Sequence, residues 1–525
     1  MAQNEDKTEV KQVLFARESS GFVREINWVT AMFISMSFIA FFALPVAFFG
    51  GLYLQPNGLP IIAALLSWIV MLPHGYLWTK ITQSYPRTGA DYVFTSRTLK
   101  PAIGTAVGLT FAITQMIMNA ATAWFGVSQL QISFNALGIE HGGVYMSIAN
   151  ALNSPLVILA VGAVVFAAVV FLSIVAIKHI NMIFGTVTII ALLSFVITAI
   201  ALGVANVNSF GHIIANYGMS ISKVNSAATT ATPLFSSIVL ATIGLMVITS
   251  TYLPFINGAT SIAGEIRGGN KSFTRGIILA LVIAGLLTTF FITLTVSGLT
   301  SKFFIGAGQM GGSYAALTNP VFDAILLSNN VGFQLFLAIT TFFWYVAVLF
   351  GISLFVSRYL MAISFDRVLP SAVAYVSEKF HTPVVAQVIS LVMTLIGLTI
   401  ITLTPLSHAF WFATDTANLM AILLGFMVVA IAVIFASARN TSALKGARKM
   451  LIAAGIFDVA ILGTYCYYML AYSPVFLGVQ VTGLSIALFT APFVAGIIIY
   501  YSMRYYRRKR EGLDLDNTFK VIPPE

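Results

Sequence analysis

One apolar segment of the sequence contains residues that interrupt helices and expose groups able to bind ions. The stretch STYLPFINGATSIAGE (250–265) holds Pro254, Asn257 and Gly258 within a single helical turn or so. Proline lacks a backbone donor, and Asn and Gly relax the backbone toward left-handed or open conformations. An interrupted helix leaves N–H groups that attract a carboxylate and C=O groups that attract a cation. The pattern predicts a binding site for a zwitterion, and a proline kink without a ligand is the alternative.

A second, weaker interruption occurs near the start of the chain. The stretch FISMSFIAFFALPVAFFGG (33–51) contains Pro45, and Ser35 and Ser37 are its polar side chains. Irregular backbone at membrane depth persists only where protein buries it or where it lines a cavity. Interruptions in two apolar segments that lie five segments apart are typical of transporters built from inverted repeats. We therefore predict that the two stretches face one internal site.

Two further apolar segments carry polar or small residues that suit the same site. Thr114, Gln115, Asn119 and Thr122 are spaced so that several share one helix face, which is costly in lipid unless it turns inward. Hydrogen bonding between helices is the alternative explanation. Gly351 and a nearby serine, Ser353, suit either cation coordination or close packing.

Acidic residues inside apolar segments are candidates for carrying a proton or binding a cation. Asp415 lies in FATDTANLM and Asp458 in GIFDVAIL. A buried carboxylate needs a partner or a cavity, and desolvation favours its protonated form. We predict Asp415 as the coupling residue, and a structural aspartate bonded to a neighbouring threonine is the alternative. His74 and His408 are isolated in the sequence, so each is expected to be a packing histidine.

The elements that hold these residues are long membrane helices. Hydrophobic residues make up 58% of the 525 residues and charged residues 8%, about a third of the share in a soluble domain. A spanning helix needs about 20 mostly apolar residues, and the apolar runs are too long for barrel strands. The single Cys466 excludes an internal disulfide, and the polar first 26 residues argue against a cleavable signal peptide. The sequence predicts about twelve spans: 27–50, 58–80, 101–132, 154–177, 181–206, 236–263, 275–299, 332–356, 383–404, 408–437, 450–471 and 480–503.

The basic residues orient these spans. All of the 27 lysines and arginines except Lys223 and Lys302 fall in the tails and connections of one side. Because cytoplasmic loops are enriched in Lys and Arg, both termini are predicted to be cytoplasmic. The net charge of +10 is therefore explained by topology and by contact with lipids, and we predict no nucleic-acid partner.

Three loops resemble those of a known family. YPRTGADYVFTSRTLKPAIG (85–104), AGEIRGGNKSFTRGI (263–277) and SRYLMAISFDRVLPSAVAYVSEKFHTPVVA (357–386) resemble the loops after the second, sixth and eighth spans of amino acid permeases. These permeases belong to the amino acid–polyamine–organocation (APC) superfamily, and the resemblance covers most of residues 20–440. Two features differ from many members: the first span has SFIAFFA (37–43) in place of Gly-Ser-Gly, and the fifth span has no lysine.

The resemblance implies an all-α polytopic fold of the LeuT type. It consists of a five-plus-five inverted repeat with discontinuous first and sixth helices, followed by two C-terminal helices. The expected units are an N-terminal tail (1–26), a first repeat (27–206), an extracytoplasmic loop (207–235), a second repeat (236–437), two helices (438–503) and a C-terminal tail (504–525).

The resemblance also implies which spans line the site, namely the first, third, sixth, eighth and tenth. The predicted substrate-binding residues are Ser37, Ile39, Ala40, Phe41, Gln115, Asn119, Tyr252, Phe255, Ile256, Asn257 and Gly258. Asp415, Gly351 and Ser353 are the predicted coupling residues. Loop charges of mixed sign are predicted to form an ion-pair gate at the cytoplasmic mouth, with solvated charge as the alternative: Asp91, Arg97, Glu265, Arg267, Arg358, Asp366 and Arg367.

These features favour a secondary active transporter of amino acids in the plasma membrane, working as a symporter or an exchanger. Another solute on the same fold is the alternative: a polyamine, a nucleobase or an organic acid. A channel or receptor is disfavoured, because neither needs paired interruptions. The sequence contains no chelating His/Cys set, nucleotide-binding loop or nucleophile triad, so we predict no metal site, no cofactor and no enzyme activity. The coupling ion, a proton or sodium, and the oligomeric state stay open.

Overall fold

The structure is a computed structural model of the chain. It describes residues 14–524 apart from 18, 176–178, 251, 405–406, 440–443, 474–480 and 482, and the side chains of 407–417 are also outside the description. The described residues are nearly all helical, and their β-type pairing is a single bridge between Ile26 and Ile266. Both terminal segments lie at one end of the helix bundle, which we call the tail side, and the opposite end is the far side.

The helices are numbered in chain order. They are α1 Trp28–Phe38, α2 Leu44–Gly51, α3 Pro60–Ile69, α4 Leu72–Ser84, α5 Ala90–Thr98, α6 Pro101–His141, α7 Gly143–Leu152, α8 Pro155–Val175, α9 Ile180–Gly203, α10 Val207–Ala215, α11 Ile221–Thr229, α12 Ile238–Ser250, α13 Gly258–Ser261, α14 Gly269–Thr274, α15 Ala280–Leu299, α16 Ser301–Met310, α17 Pro320–Leu326, α18 Val331–Phe365, α19 Val384–Leu403, α20 Ser407–Ala438, α21 Arg448–Ala471, α22 Gly483–Glu511 and α23 Leu515–Thr518.

The described residues contain 11 helices or helix pairs long and apolar enough to span a membrane, and the first predicted span is present as two shorter pieces. Several spans are longer than their apolar core. α6 runs to His141 and α18 to Phe365, beyond the predicted ends at 132 and 356. Hydropathy detects the part of a helix that contacts lipid, whereas backbone hydrogen bonding continues into the polar flanks. The second span is divided into α3 and α4 just before Pro73.

The first span is interrupted, but not at its proline. α1 ends at Phe38, residues 39–43 form turns, and Pro45 occupies the first turn of α2. Proline is favoured there because its missing N–H is not needed. The strained residue is Ala40, whose φ of 53° lies in the left-handed region. The interruption therefore precedes Pro45, and the proline begins the second half of the span.

The sixth span is interrupted as predicted, although its backbone differs from the expectation. α12 ends at Ser250, a 3-10 turn covers Phe255–Asn257, and α13 follows. Asn257 and Gly258 have φ values of −72° and −52°, so neither is left-handed. Gly258 is needed for space, since an added Cβ would lie 3.1 Å from both the Ile34 carbonyl oxygen and the Ser35 Cα.

The two interrupted spans sit at the centre of the bundle. α1 packs against α13, α15, α18 and the 3-10 turn of the sixth span, and α6 packs along α18, α19, α20 and α22. This arrangement matches the predicted all-α polytopic fold, with discontinuous first and sixth helices and two further helices, α21 and α22, after the second repeat. The exact ends of the two repeats stay a prediction.

Candidate functional site

A cavity of about 390 Å³ lies beside both interruptions. It is within the range of small-molecule sites, roughly 300–1,000 Å³. Ala40 and Ala43 line it from the first span, Tyr252 from the sixth and Tyr345 from the eighth, and Asn319 of α17 lines it on the far side. The remaining lining residues are Val46, Ala47, Met118, Thr122, Trp124, Phe125, Ser128, Gln129, Ile132 and Val348.

The chemistry of this lining is apolar with a few neutral polar groups. None of the lining residues is an acid or a base, and Trp124, Phe125 and Tyr345 supply aromatic surface. Any charge on a ligand must therefore be met by backbone groups, hydroxyls or amides. The arrangement suits a small molecule with an apolar body.

The backbone groups exposed at the sixth-span interruption are partly satisfied by the protein. The Ser35 hydroxyl donates to the carbonyl oxygen of Ile256 at 3.0 Å and accepts from the N–H of Ala259 at 3.0 Å. One hydroxyl thus bridges the two sides of the interruption. The sequence identified Ser35 as polar but selected Ser37 for the site.

Several buried polar atoms near the interruptions have no hydrogen-bond partner among the described residues. They are Ser37 Oγ, Gln115 Nε2, Asn257 Oδ1 and both amide atoms of Asn119 and Asn418. Gln115 and Asn119 lie on the same stripe of α6 as Thr122, which lines the cavity. Leaving such a group unsatisfied costs about 1–3 kcal/mol, so these atoms are available to a ligand or water. Thr114, by contrast, donates to its own helix at the Thr110 carbonyl oxygen, 2.6 Å away.

Not all predicted binding residues reach the cavity. Ala40 and Tyr252 line it, whereas Phe41 packs against Phe42 and against Phe195 of α9. Ile39 is buried outside the lining. The prediction that Ile39 and Phe41 contact a ligand therefore does not match this structure, because the turn after α1 directs them into the core.

The remaining sixth-span residues pack between helices. Phe255 stacks edge-on against Phe38 and Phe426. Ile256 faces the α4 backbone at Gly75, and Gly258 faces α1. Asn257 donates from Nδ2 to Asp91 Oδ2 at 3.1 Å. Of this predicted group, Asn257 alone combines a firm polar contact with an unpartnered atom.

The coupling residues predicted on α18 do not form one site. A Cβ on Gly351 would lie 3.5 Å from the Cβ of Ser37 and 3.6 Å from the Ile34 carbonyl oxygen, so Gly351 faces the end of α1. Ser353 donates to Gln387 of α19 at 2.9 Å. Each residue of an α-helix is rotated by about 100° from the one before it. Gly351 and Ser353 are two residues apart and therefore point about 200° apart, which explains why they contact different helices. The Asp415 side chain lies outside the described residues.

Asp458 and His74 were not expected to meet, but they are in contact. His74 of α4 and Asp458 of α21 are both buried, and Nδ1 of the histidine lies 2.9 Å from a carboxylate oxygen. The other ring nitrogen, Nε2, lies 2.9 Å from the carbonyl oxygen of Pro254. His74 is thus buried and packed, as expected, but the sequence did not predict its polar partners, because they are distant in the chain.

On the tail side of the interruption, Asp91 of α5 is buried and accepts several hydrogen bonds. The donors are the Asn257 amide, the Trp78 indole at 3.3 Å, the Tyr359 hydroxyl and the Tyr92 N–H at 2.9 Å. Burial raises the pKa of the Asp91 carboxyl, and these bonds act in the opposite direction. Asp91 has no cation partner among the described residues. It therefore links α5 to the interruption and is not part of an ion-pair gate.

Four of the predicted gate residues form two ion pairs at the tail-side end of α18. Arg97 contacts both oxygens of Asp366 at 2.6 and 2.7 Å, and Tyr92 donates to the same carboxylate at 2.8 Å. Arg358 contacts both oxygens of Glu265 at 2.9 and 3.0 Å. Asp366 and Arg358 are fully buried. The pairs join α18 to α5 and to the segment after α13 on the tail side of the bundle.

The other two predicted gate residues bind the terminal segments. Arg267 donates from Nε to the carbonyl oxygen of Arg24 at 2.5 Å. Arg367 pairs with Glu511 at the end of α22, at 2.9 Å. Neither belongs to the buried pairs, because the neighbouring acids Glu265 and Asp366 are already paired with other arginines.

The terminal segments also cover the tail-side end, which the sequence did not predict. Phe15 stacks on Phe365 with ring centroids 5.6 Å apart. From the C-terminal segment, Phe519 lies 4.9 Å from the Arg97 guanidinium carbon, and the Pro523 carbonyl accepts from Arg87 at 2.9 Å.

A family model described as amino acid permease matches residues 26–505. No curated protein matches the chain.

Proposed function

Because the chain belongs to the amino acid permease family of the APC superfamily, we propose that it is a secondary active transporter that moves amino acids by alternating access. It is a multi-pass membrane protein. The observation that carries the proposal is the cavity shared by the two interrupted spans and separated from the tail side by the contacts of α18. Symport and exchange are the two modes that this arrangement supports.

The substrate class follows from the lining of the cavity. An apolar wall with aromatic surface favours a neutral amino acid with an apolar or aromatic side chain. Within the lining, the polar groups of Thr122, Ser128 and Gln129 are the donors and acceptors for the carboxylate and ammonium groups. The unpartnered atoms of Ser37, Gln115, Asn119 and Asn257 lie behind the lining. The phenylalanines of residues 38–49 do not line the cavity, and Phe41, Phe48 and Phe49 are fully buried in the core.

Transport requires that the cavity open to each side in turn. In the conformation described, Arg97–Asp366 and Arg358–Glu265 hold the tail side closed. On the far side, Asn319 donates to Gln129 at 3.1 Å across the cavity rim. A switch from the conformation closed on the tail side to one closed on the far side moves a bound amino acid across the membrane. The excess of Lys and Arg in the loops of the tail side supports a cytoplasmic location for both termini. The membrane proposed for the protein is the plasma membrane.

Exchange in proteoliposomes tests this function without assuming a coupling ion. Vesicles loaded with unlabelled amino acids are diluted into a mixture of labelled proteinogenic amino acids, with protein-free vesicles as the control. We expect label to accumulate, and unlabelled leucine or phenylalanine to compete more strongly than arginine or glutamate. Competition by a polyamine, a nucleobase or an organic acid alone would support the alternative solute class, and no exchange of any solute would contradict the proposal.

A further inference from the structure

The most informative group outside the cavity is the contact between His74 and Asp458. The histidine Nδ1 lies 2.9 and 3.0 Å from the two carboxylate oxygens, and Nε2 lies 2.9 Å from the Pro254 carbonyl oxygen. The imidazole is also stacked on Trp78 at 4.0 Å between centroids and lies edge-on to Phe426. The ring is therefore held in one orientation by contacts on several sides.

Donor and acceptor roles fix the number of protons in this group. A carbonyl oxygen only accepts, so Nε2 must carry a hydrogen to bond to Pro254. Nδ1 faces a carboxyl group, and one more hydrogen must lie between them. The pair is then either an imidazolium with a carboxylate or a neutral imidazole with a carboxylic acid. In both forms the pair carries no net charge, which suits its burial.

Loss of the shared proton breaks one of the two contacts. If Nε2 keeps its hydrogen, the lone pair of Nδ1 faces an ionised carboxylate. If the hydrogen moves to Nδ1, the lone pair of Nε2 faces the Pro254 carbonyl oxygen. In either case a buried charge of −1 is left without compensation. The deprotonated pair therefore does not keep the geometry seen here.

The contact that responds to the proton is part of the sixth-span interruption. Pro254 immediately precedes the 3-10 turn Phe255–Asn257. Its carbonyl oxygen is bound by His74, and Asn257 at the end of the turn is bound by Asp91. Trp78 connects the two contacts, since it stacks on His74 and donates to Asp91. A change at His74 thus acts directly on the segment beside the cavity.

Among the described residues around the pair, we find no cation that replaces the proton. From α21, Tyr465 is the ionisable neighbour of Asp458. From α5 the nearest acid is Asp91, which Trp78 separates from His74, and Tyr359 of α18 donates to it. The described part of α20 presents Phe426. A π-helical turn, Arg275–Leu279, also packs on α4, and its Arg275 lies over the Trp28 ring. Among the described residues, His74 is the partner of Asp458 in an ion pair.

We propose that His74 and Asp458 form a proton-binding site, and that binding and release of this proton couple to movement of the sixth-span interruption. The inference rests on the proposed transport function and identifies its coupling ion as the proton. The proton is exchanged with water of the two compartments, and no other bond is made or broken. With the proton bound, His74 holds Pro254 as seen here. After release, the one remaining imidazole hydrogen moves to Nδ1, where it keeps the charge-assisted bond to the Asp458 carboxylate, and the contact of Nε2 with Pro254 is lost.

The test uses the purified full chain in proteoliposomes and two assays on the same vesicles. One assay is exchange of the labelled amino acid mixture without an ion gradient, and the other is accumulation of that mixture driven by an imposed pH gradient. We expect Asp458→Asn and His74→Gln to keep exchange within about twofold of wild type and to lose accumulation by about tenfold or more, the loss expected when a coupling group no longer binds its ion. His141→Gln is the matched histidine control, since His141 bonds to Gln334 on the far side.

Accumulation at the wild-type level in Asp458→Asn overturns the proposal and leaves the transport function intact. Accumulation in wild type that is driven by a sodium gradient but not by a pH gradient also overturns the proton site and leaves the transport function intact. Absence of exchange in wild type is a failure of the proposed function, which these assays separate from a failure of the proton site.

A second measurement needs no variant and so does not depend on whether the variants fold. A pH-sensitive dye inside wild-type vesicles reports proton influx when the unlabelled amino acid mixture is added outside. We expect influx that depends on the amino acids. Wild-type vesicles that exchange amino acids while the dye signal stays at the protein-free level would also overturn the proposal.

Discussion

Asn257, at the sixth-span interruption, has a structural contact and is also predicted to bind the ligand. Its amide donates to Asp91, and its Oδ1 has no partner among the described residues. It therefore ties the interruption to α5 on one side and offers an acceptor on the other. An ammonium group or a hydroxyl of a ligand suits that acceptor.

Asn257→Leu should lower the affinity for the ligand by at least about tenfold, which corresponds to about 1.4 kcal/mol. Leucine is similar in size but removes both the donor to Asp91 and the free acceptor. Asn208→Leu is the control, because Asn208 is exposed on α10. Binding of labelled amino acids to purified, monodisperse protein is the measurement. Wild-type affinity in a folded Asn257→Leu protein removes this residue from the site.

Asp323 is a second residue with an unusual environment. It lies on α17, it is fully buried, and neither carboxylate oxygen has a partner among the described residues. Burial raises the pKa of this carboxyl well above its ordinary value. The folded state therefore favours the protonated form, so its contribution to stability is present below the unfolded pKa, about 3.9, and is lost as pH rises through the raised pKa.

Asp323→Asn should remove this dependence. We expect the variant to unfold at a higher temperature than wild type at about pH 8, by roughly 1 °C for each kcal/mol of penalty removed in a chain of this length, and the difference to shrink toward about pH 4. Glu378→Gln, at an exposed position, is the control. Melting temperatures in detergent across this pH range decide the matter, and a difference that is constant with pH contradicts the expectation.

At the scale of elements, α18 is the helix that organises the closed side. Its tail-side end supplies Arg358 for the pair with Glu265 and is followed directly by Asp366 for the pair with Arg97. Its middle meets the first-span interruption at Gly351 and lines the cavity at Tyr345. One helix therefore contacts both the cavity and the closure, which is the arrangement that lets ligand binding and closure influence each other.

Breaking the Arg358–Glu265 pair should open the tail side without changing the cavity. Arg358→Met alone leaves Glu265 buried without its partner, at a cost of about 3–5 kcal/mol. Arg358→Met with Glu265→Gln removes that charge and should restore thermal stability. We expect both proteins to show greater tail-side accessibility, with ligand affinity changed less than about threefold. Unchanged accessibility in both proteins would argue that the pair is structural.

At the scale of the whole molecule, the terminal segments complete the closed side. The C-terminal segment after α22 contacts Arg87 and Arg97, and Thr518 donates to the carbonyl oxygen of Leu14 at 3.2 Å. The two tails thus contact each other, and the C-terminal one also contacts α5, the helix that carries Arg97 of the Arg97–Asp366 pair. We predict that these contacts stabilise the conformation in which the cavity is closed to this side.

Truncation after Gly512 should weaken that conformation. We expect amino acid exchange to be faster by about twofold or more. Loss of these contacts shifts the equilibrium away from the conformation closed on the tail side and toward the one closed on the far side. Arg510→Ala, at an exposed position, is the control. Initial exchange rates in proteoliposomes are the measurement, and a rate equal to that of the control contradicts a role for the tail.

The sequence predicted the features that depend on local composition. Apolar runs and the distribution of Lys and Arg gave the spans, and the clusters around Pro45 and Pro254 marked the interrupted helices. It did not predict which side chains meet, because partners such as His74 and Asp458 are 384 residues apart in the chain. The direction of Phe41 and the separation of Gly351 from Ser353 depend on helix rotation, which composition alone does not fix.

The central claim is that one cavity between the interrupted spans opens to the two sides in turn. It is tested most directly by cysteine labelling, since Cys466 is the single cysteine of the chain. In a Cys466→Ser background, Thr122→Cys reports on the cavity and Ser261→Cys reports on the buried tail-side half of the sixth span. An impermeant thiol reagent is applied with and without the labelled substrate mixture and an imposed gradient. The account predicts reciprocal changes, with one position becoming protected as the other becomes reactive. Simultaneous reactivity of both positions indicates a channel and would contradict it.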